Sequence, residues 1–248
     1  MKVVGIIPAR YASTRFPGKP LADIAGKTMI QRVYEQSKKA LDYVFVATDD
    51  KRIAREVERF GGQFIMTSKH HQSGTDRIAE AIVIIEKDHA PFDIIVNIQG
   101  DEPFIYPEQI QSVVSCFEKA STDIATLIKH IINTDDIFNE NKPKVIVNQN
   151  KEAIYFSRSP IPFIRGKQKN EWVTSHKFYK HIGLYAYRKE VLKQITQIPQ
   201  SSLEIAESLE QLRWIENGFT IAVEETEFES IGIDTKKDLK RIHETGLL

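Results

Sequence analysis

Short apolar, β-branched runs alternate along this chain with longer stretches of helical period. The runs are "KVVGII", "YVFVAT", "QFIMT", "DIIVNIQ", "DIATLI", "KVIVN", "IGLYAYR" and "TIAVEE". Such alternation predicts an α/β fold, with a mostly parallel sheet covered by helices on both faces. Between the first two runs, "TMIQRVYEQSKKAL" repeats Met29, Ile30, Val33 and Tyr34 at helical spacing, with Thr28 placed to cap it. A second helix, "DKRIAREVERFGG", lines up Ile53, Val57 and Phe60 and stops at Gly61 and Gly62. A third, "TDRIAEAIVIIEK", is apolar enough to lie deep against the sheet. From about Glu152 to Arg188 the rhythm breaks into an aromatic-rich stretch with a polar loop from Gly166 to Glu171. It reads as an insertion that builds a subunit contact or covers a ligand. One domain spanning residues 1–248 is expected, with the inserted region at approximately 152–190.

Composition narrows the partners. Lys and Arg number 34 and Asp and Glu 34, so the formal net charge is zero. Nothing in that balance points to nucleic acid or to an anionic membrane. The single cysteine, Cys116, can form no internal disulfide and suits a reducing cytoplasm; it reads as a small buried hydrophobe. The first apolar run is too short for a signal peptide and no stretch reaches membrane-spanning length. A soluble, cytoplasmic protein is the expectation.

Against that neutrality, "PARYASTRFPGKPL" concentrates Arg10, Arg15 and Lys19 in one loop after the first strand. Two readings stand: a solvated cationic turn, or, with Ser13, Thr14 and Gly18 and a helix start nearby, a polyphosphate cradle. Neither a P-loop nor a GxGxxG fingerprint is present. Ligands of open parallel sheets bind where the βα loops gather. "TDD" (48–50), "QGDEP" (99–103) and Asp234 are predicted at that edge too. Asp101, beside Gly100 at the end of a buried strand, could hold Mg²⁺ or bond its own turn. Asp234 could join it, or Asp234 or Thr235 could cap the last helix, with Asp238 facing its N-terminus. His70 and His71 have no second ligand set at zinc spacing and read as solvated. Ser73, Gly74, Thr75 and Arg77 form a small-residue turn into a helix, either a plain cap or an approach to a flat ring.

In order, "IIPARYASTRFPGKPL", "VATDD", "MTSKHHQSGTDR", "VNIQGDEP", "YFSRSPIPF", "YKHIGLYAYR", "ESLEQLR" and "GIDTKKDL" resemble the signatures of the 3-deoxy-manno-octulosonate (Kdo) cytidylyltransferases, or CMP-Kdo synthetases. The resemblance covers almost the whole chain. It implies a nucleotide-diphospho-sugar transferase fold of Rossmann-like type with an inserted dimerisation and sugar-binding region. It also implies a homodimer and Mg²⁺-dependent transfer of CMP from CTP to Kdo, an acidic sugar of lipopolysaccharide. Pro8, Ala9, Arg10, Ser13, Thr14, Arg15 and Lys19 match the triphosphate loop, and Ser73 and Arg77 the turn that reads cytosine. Asp101 and Asp234 match the metal pair; with Arg15 and Lys19 they form the expected catalytic set. For the sugar the resemblance suggests Gln99, Arg158, His181, Tyr185, Glu210 and Gln211. Each has a structural alternative: Arg158 as partner of a structural carboxylate, Tyr185 as a strand aromatic in the core or a dimer contact, Glu210 as a solvated helix residue. The chain departs from the family where Lys236 and Lys237 follow Asp234-Thr235. Rival readings are a cytidylyltransferase for 8-amino-Kdo or a sialic acid, a glycosyltransferase, and a non-catalytic nucleotide-binding regulator.

Overall fold

The computed structural model describes residues 1–12, 16–229 and 232–245. The chain divides into two compact units, Met1–Gln111 with Ser230–Leu248, and Ser112–Glu229.

In the first unit the apolar runs become β1 (Val3–Ala9), β4 (Tyr43–Thr48), β5 (Phe64–Met66) and β6 (Ile94–Asn97), with a two-residue hairpin of β2 (Asp23–Ile24) and β3 (Lys27–Thr28) between the first two. The order is β6-β1-β4-β5, and every pairing along it is parallel. Val4, Ile6, Ile7, Val44, Val46, Ile94, Ile95 and Val96 are fully buried. Their burial is continuous rather than alternating, as strands covered on both faces require. Each such side chain contributes about 1.5–3 kcal/mol on burial. The helix Met29–Ala40 buries Met29, Ile30, Val33 and Tyr34. Thr28 occupies its N-cap position, but the hydroxyl donates to Glu56 Oε1 at 2.8 Å and caps nothing. The helix Lys51–Arg59 ends at left-handed Gly61 (φ 76°), and Gly62 N–H donates to Val57 O at 2.8 Å, a Schellman-type close.

The second unit contains β7 (Ile124–His130), β8 (Lys144–Val147), β9 (Ala153–Ser157), β10 (Tyr179–Arg188) and β11 (Ile221–Glu225). Here the pairing is mixed: β11 runs parallel to β7, whereas β7–β10, β10–β8 and β8–β9 are antiparallel. A bulge interrupts the β7–β10 register between Ile182 and Tyr185. The stretch where the rhythm breaks thus holds two strands, β9 and the whole of β10, of which only the "IGLYAYR" part of β10 stood out as an apolar run. Its polar loop contains a 3-10 turn, Lys169–Glu171, leading to Trp172, which is buried with Ile131, Ile137 and Phe178. Tyr185, Tyr187 and Trp214 form a second aromatic group, Trp214 meeting both tyrosines edge-on at 5.2 and 5.5 Å.

Candidate functional site

Three sequence-distant segments of the first unit are fastened together from beneath. Phe16 of the basic loop, Ile24, Met29 and Ile233 form one buried cluster, with Phe104 and Leu239 packed on it. Ile233 N–H donates to Asp101 O at 2.9 Å, tying the backbones of the two acid-bearing segments. Gly100 allows the close approach: a Cβ there would lie 2.9 Å from Pro8 O, too near for a backbone atom that cannot move aside. Gly18, left-handed at φ 74°, turns the basic loop back so that its N–H meets Tyr11 O at 2.9 Å. Arg52 stacks on the Tyr11 ring 3.2 Å from its centroid.

Above this base, Lys19 Nζ donates to Asp101 Oδ2 at 2.7 Å and to Asp234 Oδ1 at 3.2 Å. Two carboxylates 133 positions apart in sequence therefore converge on one cation. The cap of the last helix falls to the neighbours of Asp234. Thr235 Oγ1 accepts from Asp238 N–H at 3.2 Å, and Asp238 Oδ2 accepts from the N–H groups of Thr235 and Asp234 at 2.8 and 3.2 Å. A cavity of about 440 Å³ opens here, lined by Pro8, Ala9, Arg10, Lys19, Gln99, Gly100, Asp101 and Asp234. Its size suits a small-molecule ligand. Ser13, Thr14 and Arg15 lie outside the described residues.

The neighbouring loops carry their own fixings. Asp50 caps the helix Lys51–Arg59 through Arg52 N–H at 2.9 Å, and the Arg52 guanidinium holds its carboxyl below the usual carboxylate range. Arg77 is 1% exposed. Its Nη1 donates to Thr67 Oγ1 at 2.6 Å and its Nη2 lies 3.5 Å from Asp49. Burial lowers the Arg77 pKa, with Asp49 opposing. The buried guanidinium thus ties the loop at Asp49 to that at Thr67. Ser73 forms a capping box with Asp76, and Gly74 brings this turn against Pro8. His71, read from sequence as solvated, instead shares a hydrogen bond between its ring Nε2 and the Glu80 carboxylate.

In the second unit the proposed sugar residues behave differently from one another. Arg158 donates from Nε to Glu207 O at 2.7 Å, from Nη1 to Glu140 O at 3.0 Å and from Nη2 to Ser208 O at 3.3 Å. The guanidinium's partners are backbone carbonyls, two at a helix C-terminus, while the Arg158 backbone N–H donates to the Glu207 carboxylate at 2.9 Å. Glu210 lies 3.3 Å from Arg213, which pairs with buried Glu204 through two bonds of 2.8 Å. Gln211 is 4% exposed, and its Nε2 has no hydrogen-bond partner among the described residues. His181 and Tyr185 rings stand 5.2 Å apart. Burial lowers the His181 pKa to about 3. Burial raises that of Tyr185, Tyr187 and Glu210 adding to it and Thr126 opposing. Sequence reasoning passed over Thr126, whose hydroxyl lies 3.0 Å from His181 Nε2.

A family model described as cytidylyltransferase matches residues 4–230. The 3-deoxy-manno-octulosonate cytidylyltransferase of Parabacteroides distasonis is 64% identical over 97% of this chain and 96% of its own length. That of Phocaeicola vulgatus is 59% identical over 97% and 96%. The chain belongs to the 3-deoxy-manno-octulosonate cytidylyltransferase family. The solved structure of CMP:2-keto-3-deoxy-manno-octonic acid synthetase complexed with CTP superposes with a TM-score of 0.89, at 40% identity over 99% of this chain and 98% of that one. The α/β fold with its mostly parallel central sheet is that of this family. Among the described residues no group of three or more His, Cys, Asp and Glu could hold a metal ion. A family member that works on a nucleotide needs no such cage, because Mg²⁺ takes one or two carboxylates and fills its octahedron with water and phosphate oxygens. Asp101 and Asp234, already converging on an ammonium, fit that requirement.

Proposed function

We propose that this chain transfers a cytidylyl group from CTP to 3-deoxy-manno-octulosonate, giving CMP-Kdo and pyrophosphate. The observation that carries the reading is the meeting of Lys19, Asp101 and Asp234 at a cavity of about 440 Å³. The family membership supports both substrates.

In this reading the anomeric hydroxyl of the sugar attacks the α-phosphorus in line and the bond to pyrophosphate breaks. Arg10 and Lys19, with Arg15, bind the triphosphate and offset charge moving to the leaving group. Asp101 and Asp234 hold Mg²⁺, which when bound supplies Lewis-acid polarisation of the phosphate. Ser73 and the loops tied by Arg77 bind the base. Gln99, His181, Tyr185, Glu210 and Gln211 orient the sugar, and the unpartnered Nε2 of buried Gln211 supports this, since such a donor calls for an explanation. Arg158 would act through the backbone it clamps. Positioning provides most of the rate.

The protein works in the cytoplasm as a homodimer, feeding lipopolysaccharide synthesis. Among the described residues no helix is long and apolar enough to cross a membrane. The second unit also exposes Ile132, Ile154, Phe163 and Ile205, at 81%, 52%, 75% and 64%. Light scattering on the purified chain tests the dimer. The activity is tested by pyrophosphate release from CTP and UTP against Kdo, 8-amino-Kdo and a sialic acid. Release with CTP and Kdo alone is expected; release with another sugar, or without sugar, overturns the reading.

A further inference from the structure

Thr126 sits on β7 directly opposite Tyr185 of β10, beside the bulge. Its Oγ1 lies 2.8 Å from Leu184 O, 3.1 Å from Ile182 O and 3.0 Å from His181 Nε2. A threonine hydroxyl has one proton and two lone pairs, and carbonyl oxygens only accept. With two carbonyls this close, the proton must go to one of them. A deprotonated Nε2 would then place a third acceptor against the same oxygen, in a buried position where unpaired acceptors are costly. The arrangement is satisfied when His181 Nε2–H donates to Thr126 Oγ1. Nδ1 is then the unprotonated nitrogen, and it makes no hydrogen bond among the described residues.

The bulge gives this contact its location. A regular strand separates residues four apart by about 13 Å, yet the His181 and Tyr185 rings are 5.2 Å apart. Bulges re-aim side chains in this way, and the carbonyls of Ile182 and Leu184 are the ones Thr126 meets. Phe156 also meets the imidazole edge-on, at 5.1 Å.

We propose that Thr126 is a positioning residue that fixes His181 as the Nε2–H tautomer, so that Nδ1 accepts a hydrogen bond from a hydroxyl of the acidic sugar. The second half rests on the sugar reading given above; the first does not. The test uses the full chain labelled with ¹⁵N-histidine, His181 being identified by its absence from H181Q. Near neutral pH, long-range ¹H–¹⁵N correlation should show His181 protonated at Nε2 and bare at Nδ1. T126V should shift that pattern toward exchange between tautomers, and T126S should restore it. In parallel, T126V should raise KM for Kdo about tenfold while KM for CTP stays within about twofold, the scale of one misplaced hydrogen bond. T126S should recover most of the loss.

A wild-type His181 protonated at Nδ1, or a T126V spectrum like that of the wild type, overturns the positioning role. An altered tautomer with unchanged KM for Kdo overturns the sugar half. Failure of the parent reading is separately visible, as an unaltered protein that releases no pyrophosphate with Kdo.

Discussion

The charged groups of the two units are held in opposite ways. In the first, Lys19, Asp101 and Asp234 meet at an open cavity with side chains 15%, 31% and 48% exposed. In the second, Arg213 and Glu204 are buried and locked by two parallel bonds, and Arg158 gives its guanidinium to three backbone carbonyls. Solvated ion pairs contribute little to stability, so their carboxylates can exchange one cation for another. A buried pair cannot exchange, because loss of either partner strands a charge without water. The first arrangement is suited to binding and releasing a charged ligand, the second to holding a shape.

The sharpest way to break this contrast is at Asp101. D101N should lower pyrophosphate release by at least about 10³-fold, the scale of a lost charge-stabilising group, with unfolding by denaturant little changed. Near-normal turnover at saturating CTP and Mg²⁺ would remove Asp101 from the chemistry. K19Q should lower turnover too, by about 10²-fold. Yet its free form should bind Mn²⁺ more tightly in calorimetry, because the ammonium no longer competes for the two carboxylates. Weaker binding would show that Lys19 organises the acids rather than occupying their cation position.

What the sequence made legible follows the same division. The inner parallel strands of the first unit, β1, β4 and β6, were readable because both faces are covered, giving unbroken runs such as Val3–Ile7. β9 was not, because only Phe156 and Ser157 of its five residues are buried, and no continuous run announces it. The acids and cations were visible because their loops are unusual in composition. Their base was not, since Phe16, Phe104 and Ile233 are ordinary apolar residues until the fold brings them into contact. The guanidinium bonds of Arg158 were not legible because their acceptors are main-chain carbonyls, which a sequence does not distinguish. Thr126 lay inside "DIATLI", a run that reads as core, and only the bulge across from it reveals its bonds.

At the buried pair, E204Q should cost about 3 kcal/mol in denaturant unfolding by leaving Arg213 without its bidentate partner. A larger loss in D101N than in E204Q would reverse the comparison. His181 offers a gentler probe. Its folded pKa, about 3, lies below its ordinary value of 6.5. The unfolded chain therefore takes up the proton first as pH falls. The stability contributed by the neutral imidazole is complete above 6.5 and declines through the window down to about 3, at up to about 1.4 kcal/mol per pH unit. H181Q should flatten that part of a stability–pH curve measured between pH 6.5 and 5; an unchanged slope would mean that the ring takes up its proton in the folded state as readily as in the unfolded one.

The smallest expected effect separates two duties of one residue. Ser73 Oγ accepts from Asp76 N–H at 3.1 Å, and Asp76 Oδ2 accepts from Ser73 N–H at 3.2 Å. Accepting uses a lone pair and leaves the hydroxyl proton to be donated elsewhere, so a cap and a ligand contact are compatible. S73A should cost about 1 kcal/mol of stability through the lost cap. If the hydroxyl also reaches the nucleotide, KM for CTP should rise about fivefold, the value of one hydrogen bond. D76A removes the other half of the box and leaves the serine hydroxyl in place. It should lower stability by a similar amount while KM for CTP holds. Equal KM values in the two variants would reduce Ser73 to a helix cap and confine nucleotide recognition to the charged rim of the cavity.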